Sequence, residues 1–358
     1  MIRIYLGKAI IRTRMIFEKF SNSILKVLIM AHTRNQAHWW RKKVVKANGR
    51  KVMNRQILKA MKSYCKKRFG SRRYWPWLAY YTEIRGEYIE GWIPQDYFRF
   101  TFVPRLNPKP ASYMDFKTFD YQLFGDFAVR PLYLYISGIY YDPELKHISP
   151  DQVISHLSEY EDDIVIKEES SWGGLQVRVL HASTFTPELL QQGSNYVIQP
   201  YVKQHAIISE LYPDSVNTLR VNTFLKKDGS VTVKSVWLRF GADGSKVDNI
   251  TTGGNFLYIH LDGSPEKVIY EPDLGYILTD RHKNTGYLFS ELKIPMFQEV
   301  LENCKTAHLK FPYVRLIAWD ACIDHTGEPK LIEWNLGNPD YYLVEAKWGP
   351  YFIDDSEI

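Results

Sequence analysis

The chain has 358 residues, 45% hydrophobic and 15% aromatic, enough to bury one large core or two to three modest ones and too apolar to be disordered. Its three cysteines, Cys65, Cys304 and Cys322, are odd in number, far apart and in no CxxC pair, which excludes a disulfide framework or cysteine zinc site and points to a reducing cytosol. The net charge of +6 conceals an asymmetry: the first 75 residues carry 21 Lys and Arg against Glu18 alone, about +20, and the remainder is near −14.

The first element is read from Ile4, Leu6, Ile10, Ile11, Met15, Phe17, Phe20, Ile24, Leu25 and Leu28, which recur every three to four positions among Lys and Arg and predict a basic amphipathic helix over 2–30. Glu18, Lys19, Asn22 and Lys26 interrupt its best apolar stretch, so no bilayer-spanning helix is expected. The stretch also lacks the small-residue cleavage site of a secretory signal. A second basic helix is predicted in "NRQILKAMKSYCKKRFGSRR", residues 54–73, followed by the aromatic "YWPWLAYY". Such a region can lie on anionic lipid, bind nucleic acid or pack on the body of the same chain. Without an RNA-reading motif, nucleic acid is not expected.

Pro104, Pro108 and Pro110 mark a boundary near 105–112, beyond which the pattern is mixed α and β. "SPDQVISHLSEY" reads as a helix with Ser149 as N-cap and Pro150 at its first position, and it runs into the strand "DIVIKEES" and, past a short turn, "LQVRVL". "TPELLQQG" is read as helical, then "YVIQPYV" as a strand. "NTLRVNTFL" and "VTVKSVWLRF" form a hairpin across Asp228-Gly229, and "FLYIHL" and "KVIYEP" another across Asp262-Gly263. A helix around Met296 to Leu309 precedes the last two strands, "VRLIAWDACID" and "PKLIEWN". There is no internal repeat.

That last hairpin carries the chemistry. Centred between Thr326 and Gly327, it sets Asp320 directly opposite Glu333, with Asn335 on the same face. Opposed like charges destabilise a sheet unless a cation relieves them, and an all-oxygen set suits Mg²⁺ that also holds phosphates and water. Phosphate implies cationic and backbone contacts, for which Lys167 at the end of "DIVIK" and the turn at Gly173 and Gly174 are candidates. The turn is not a Walker A loop, since its GK[ST] ending is absent. No GxSxG, HExxH or cysteine–histidine motif competes.

In order and spacing, "VIKEESSWGG", "VIQPYV", "NTLRVNTF", "WDACID" and "LIEWNLGNP" resemble the ATP-grasp superfamily, and with "WLRFG" and "VDNITTGG" they resemble its sugar-transfer-associated and TupA-like branches. The resemblance covers roughly residues 110–350. It implies an α+β ATP-grasp fold of two subdomains clasping ATP, preceded by a basic helical region. The expected layout is a basic region 1–75, a connecting segment 76–111, a nucleotide-covering subdomain 112–202, a catalytic subdomain 203–350 and a tail 351–358.

The resemblance further implies that Lys117 is the earlier ATP-binding lysine, that Lys167 contacts adenine and phosphate, that Ser170, Ser171, Gly173 and Gly174 belong to the loop covering the phosphates, and that Gln199, Tyr201 and Val202 receive the adenine. Gln199 stands where the family usually has an acid. Asp320, Glu333 and Asn335 are implied as Mg²⁺ ligands and Arg220 and Arg239 as catalytic cations, with Asn217, Asp248, Asn249, Gly253 and Gly254 positioning the substrate. Arg130 is a second choice for the first lysine, and His205 is near enough in sequence to reach the nucleotide. The implied activity is an ATP-dependent carboxylate–amine ligase of polysaccharide biosynthesis, acting on small-molecule or lipid-linked sugars and amines. Alternatives are a kinase or peptide ligase with the same nucleotide site, and a membrane-associated binding module with a vestigial one. The expected location is the cytoplasm, peripheral on the inner leaflet through residues 1–75.

Overall fold

The computed structural model describes residues 28–111, 114–169, 177–191, 193–248, 254–271, 275–337, 339 and 341–352. The predicted helix over 2–30 therefore lies almost wholly outside the described residues, as do Ser170, Ser171, Gly173, Gly174, Asn249 and Gly253. The chain divides into two units, one built from residues up to Arg105 with Tyr341–Asp355, the other from Leu106–Asp340 with Ser356–Ile358.

The first unit is helical. Residues 28–48 form one helix. Arg55–Phe69 forms the next because the Asn54 side chain accepts from the Ile57 N–H and Gly70, at φ 75°, takes the left-handed turn that ends it. Trp75–Arg85 starts with proline in its first turn and stops at Gly86. Tyr342–Trp348 joins this unit, its Tyr342 ring stacked 5.8 Å from Trp40. Trp77, Tyr80, Tyr81, Trp92, Phe98 and Tyr341 fill the core.

Three carboxylates are buried among these rings. Glu83 accepts from the N–H groups of Val52 and Met53 at 2.7 and 3.3 Å. Asp96 meets Arg34 at 2.6 Å. Glu345 accepts from the Ile93 N–H at 3.1 Å.

In the second unit, two antiparallel sheets run through the described residues. The first contains β1 (Tyr133–Ile136), β2 (Ile139–Tyr141), β3 (His147–Ile148), β4 (Asp163–Glu168), β5 (Val177–His181) and β6 (Tyr196–Pro200), in the order β3-β2-β1-β6-β4-β5. The second contains β7 (Thr218–Leu225), β8 (Val231–Phe240), β9 (Asn255–Ile259), β10 (Pro265–Glu271), β11 (Gly275–Leu278), β12 (Leu316–Ile323) and β13 (Pro329–Asn335), in the order β11-β10-β9-β8-β7-β12-β13.

The Asp-Gly hairpins form as expected, and Gly229 and Gly263 supply the positive φ that each turn needs. The helix Pro150–Glu159 begins with a full capping box between Ser149 and Gln152. "TPELLQQG" is a correction: only Pro187–Leu189 makes a single 3₁₀ turn, and Leu190 already takes extended backbone angles, φ −98° and ψ 121°, so no second turn follows.

One face of the larger sheet presents Leu219, Val221, Val236, Leu238, Leu257, Ile317, Trp319 and Trp334 to a core shared with Val300, Leu301, Cys304 and Ala307 of the helix Phe297–Lys310. Each such side chain contributes about 1.5–3 kcal/mol when fully buried, so these residues fix which way every strand faces. The two sheets meet at the end of the β12–β13 hairpin, where the His205 N–H donates to Ile323 O at 2.9 Å and the His325 N–H to Lys203 O at 2.8 Å.

Candidate functional site

Because the odd-numbered residues of β7 enter the core, Thr218, Arg220 and Asn222 take the opposite face. The register carries that face across the sheet: Arg239 stands beside Thr218 and Trp237 beside Arg220, while Asp320 pairs with Arg220 on the other side. Asp320 pairs in turn with Glu333, and Ala318 with Asn335. Glu333 and Asn335 therefore share a face with Asp320, while Trp334 between them is buried in the core.

The route to that pairing differs from the expected one. The turn spans Asp324 to Glu328 and is centred on Thr326, half a residue earlier than read from sequence, with the Asp324 N–H on Glu328 O at 2.9 Å. The register then shifts between Asp320 and Ala321, which pair with Glu333 and Leu331 and leave Ile332 as the extra residue of a bulge. This one-residue irregularity restores the opposition of Asp320 and Glu333. The Ile332 carbonyl also accepts from Lys167 Nζ at 3.2 Å, which ties the end of β4 to β13.

Asp320, 2% exposed, is held from several sides. Arg220 grips it bidentately, Nε on Oδ1 and Nη2 on Oδ2 at 2.9 Å, Arg239 Nη2 lies 3.1 Å from Oδ2, and Asn335 Nδ2 lies 3.4 Å away. Arg239 also donates to Thr218 Oγ1 at 3.1 and 2.8 Å and faces Asp248 at 3.4 Å. Burial works against its charge, but Asp248, Asp320 and Glu333 outweigh that and hold the guanidinium above its ordinary range. Asp248 completes the group by accepting from the Thr218 N–H at 3.1 Å and from its hydroxyl.

The like-charge conflict between Asp320 and Glu333 is thus relieved by the protein's own cations, which corrects the inference that the pairing by itself demands a metal. Lys117 Nζ supplies the balance at Glu333, 3.5 Å from Oε1, and also donates to Glu169 O at 3.3 Å. Two more acids surround these lysines. Asp120 is buried with no hydrogen-bond partner on Oδ1, and burial raises its carboxyl well above the usual range even though Lys167 opposes this. Glu169, raised by burial too, accepts from Thr118 Oγ1 and leaves Oε1 unpartnered. Burial lowers the pKa of Lys167, with Glu333 and Asp120 pulling it back.

The fold therefore gathers Lys117, Lys167, Arg220, Arg239, Asp248, Asp320, Glu333 and Asn335 into one charged region. Gln199 is buried on β6, its Nε2 donating to Val129 O at 3.0 Å, and the Val129 N–H reaches Leu331 O at 3.4 Å, so this part of β6 lies beside the same hairpin. Tyr201 follows, its N–H on Asp163 O at 2.9 Å, with Val202 next and partly exposed. Gly254 is buried at the entry to β9.

Three of the residues singled out in the sequence have partners of their own in the fold. Asn217 spends its Nδ2 on Ile208 O and Tyr212 O and its Oδ1 on the Ser215 hydroxyl, so it braces a loop. Arg130 pairs on the surface with Glu144 at 2.6 Å, while Lys117 faces Glu333. His205 caps the helix Ala206–Leu211 through Nδ1. Thr218, Asp120 and Glu169 were missed. Thr218 sits within "NTLR", but no local pattern marks the two acids.

Residues 182–345 match the family model described as sugar-transfer associated ATP-grasp. Among solved structures, the chain is similar to the ATP-grasp ligase PsnB complexed with a phosphomimetic variant of its minimal precursor, Mg and ADP, at 14% identity over 68% of this chain and 56% of that one, TM-score 0.38. It is also similar to D-alanyl-alanine synthetase A from Vibrio cholerae O1, at 13% identity over 63% and 56%, TM-score 0.36. A third is the biotin carboxylase domain of the Hydrogenobacter thermophilus 2-oxoglutarate carboxylase with MgADP, ADP and bicarbonate, at 12% identity over 64% and 41%, TM-score 0.37. The chain thus spans between 41% and 56% of the length of these three structures. No curated protein matches it.

Proposed function

We propose, from the match of residues 182–345 to the sugar-transfer associated ATP-grasp family, that the chain is an ATP- and Mg²⁺-dependent carboxylate–amine ligase that modifies a sugar, such as a uronic acid, or attaches an amino acid to one, in cell-surface polysaccharide assembly. The observation that carries the reading is the convergence of Lys117 and Lys167 with Arg220, Arg239, Asp320, Glu333 and Asn335. The "sugar-transfer associated" description of the matched family supports the substrate class.

The donor chemistry fits magnesium. Among the described residues no three His, Cys, Asp or Glu form a metal cage. The Glu333 side chain is 38% exposed, and Asn335 turns its Nδ2 toward Ala318 O and Asp320, leaving its Oδ1 as the atom for a ligand. Magnesium binds through one or two carboxylates plus phosphates and water, and needs no all-protein cage. Glu333 and Asn335 would hold it, with the Asp320 carboxylate behind them, and when bound it would draw charge from the phosphate oxygens.

The side chains divide the remaining work. Lys117 and Lys167 bind the triphosphate, and the hinge Gln199–Tyr201–Val202 receives the base. A substrate carboxylate oxygen attacks the γ-phosphorus, the bond to the β–γ bridging oxygen breaks, and ADP leaves. Arg220 and Arg239 meet the charge that develops on the transferred group; their fixed orientation by Asp320, Thr218 and Asp248 means little reorganisation is required. The amine then attacks the acyl carbon, phosphate departs, and the amine proton passes to solvent. The test is ADP release against a panel of uronic acids and amino acids. Release that requires one carboxylate and one amine together supports the ligase; release indifferent to both sinks it. Absence of any Mg²⁺-dependent nucleotide shift in melting temperature favours the binding-module alternative.

A further inference from the structure

Residues 28–75 contain 15 Lys and Arg and no Asp or Glu. The fold sorts these bases by direction. Arg34 and Arg41 turn inward to the buried Asp96 and Glu83. Lys42, Lys46, Arg50, Lys51, Arg55, Lys59, Lys66, Lys67, Arg72 and Arg73 are exposed.

The exposed positions form stripes. On the helix 28–48, Leu28, His32, Asn35, Trp39, Lys42 and Lys46 recur at three- to four-residue spacing, which is one side of a helix, while Thr33, Ala37 and Val44 are buried on the other. On Arg55–Phe69, Arg55, Lys59, Ser63, Lys66 and Lys67 repeat the spacing, opposite the buried Met61, Tyr64 and Cys65. The two helices meet at Trp75, whose ring lies 5.0 Å from His38 and 5.4 Å from the Lys62 ammonium. The first helix does not expose bases alone: Leu28 and Trp39 on the stripe are 62% and 54% exposed and the neighbouring Ile29 38%, with the Lys43 ammonium 4.0 Å over the Trp39 ring.

Exposed aliphatic side chains decide between the anionic partners. A phosphate backbone needs only the bases, and Leu28 and Ile29 would remain in water beside it. At a bilayer surface the same residues enter the headgroup boundary, a tryptophan sits at that depth with its lysine toward water, and the surrounding bases meet acidic headgroups. We propose that this face of the helical unit docks on an anionic lipid surface, with Leu28, Ile29 and Trp39 entering the boundary and Lys42, Lys46, Lys59, Lys66 and Lys67 providing the charge recognition. Among the described residues no helix is long and apolar enough to cross a membrane.

Flotation of the full chain with vesicles tests this. Vesicles containing phosphatidylserine or phosphatidylglycerol should carry the protein upward, phosphatidylcholine alone should not, and the bound fraction should fall as salt rises. A lysine near such a surface is worth about 1 kcal/mol, or roughly fivefold in affinity, so joint replacement of Lys42, Lys46, Lys59 and Lys66 by Gln should weaken binding by a hundredfold or more. Trp39→Ala should weaken it by a factor that persists at high salt. All five side chains are largely solvent-facing, so unchanged melting of the variants separates lost docking from lost folding. Equal flotation with neutral vesicles, no flotation, or tighter binding of duplex DNA or RNA than of acidic vesicles at the same salt overturns the proposal. None of these readouts depends on nucleotide turnover, so the ligase reading stands or falls separately.

Discussion

Asp320 in the larger sheet and Glu345 in the helical unit are both almost completely buried, at 2% and 1% exposure, yet the protein treats them oppositely. Glu345 has one backbone N–H on its carboxylate and lies among aromatic rings; burial pushes its pKa up to about 8, with the Ile93 N–H and Arg68 opposing. Asp320 is met by two guanidinium groups. Burial depth alone does not determine what surrounds a carboxyl: Glu345 sits among rings that push its pKa up, whereas Asp320 is enclosed by guanidinium groups in the candidate site.

The most severe way to break the contrast is Asp320→Ala, which takes from the buried Arg220 its carboxylate partner and leaves Arg239 with Asp248. A loss of about 3–5 kcal/mol in denaturant unfolding is expected. Glu333→Gln is gentler on the fold, since its side chain is partly exposed, and falls on chemistry: a drop of roughly a hundredfold or more in ADP release is expected with melting little changed.

Glu345→Gln sharpens the other half. The folded carboxyl titrates near 8 and the unfolded one near its ordinary value, so unfolding releases a proton between them and stability declines as pH rises through that window. The wild type should lose about 1.4 kcal/mol per pH unit relative to Glu345→Gln between roughly pH 4.5 and 8, and hold level above, as read by urea midpoints. Ser149→Ala gives the scale of an ordinary change: about 1 kcal/mol for a lost cap, with no effect on turnover.

Local signals made much of this molecule legible. Asp-Gly turns, the Ser149 cap and the alternation in "LIEWN" identified elements and faces, because each depends on residues a few positions apart. The arginine clamp was not legible as a clamp. Arg220 and Asp320 are a hundred residues apart and meet only because β7 and β12 are neighbours, a pairing set by the shared core. Asp120 and Glu169 likewise reach the lysines from separate elements, one from the helix Asp120–Phe124 and one from the end of β4. Nor does anything local in residues 341–352 announce that they fold with the helical unit.

The bulge at Ile332 divides β13 into two segments running in different phase. The half nearest the turn takes its facing from Thr326, and the half carrying Glu333 and Asn335 takes its facing from β12. Deleting Ile332 should leave Asp320 opposite Glu333 while removing the peptide oxygen that receives Lys167. One inserted residue thus does two separable jobs: it absorbs a mismatch in strand phase, and it gives the smaller sheet a fixed point of attachment on the larger one.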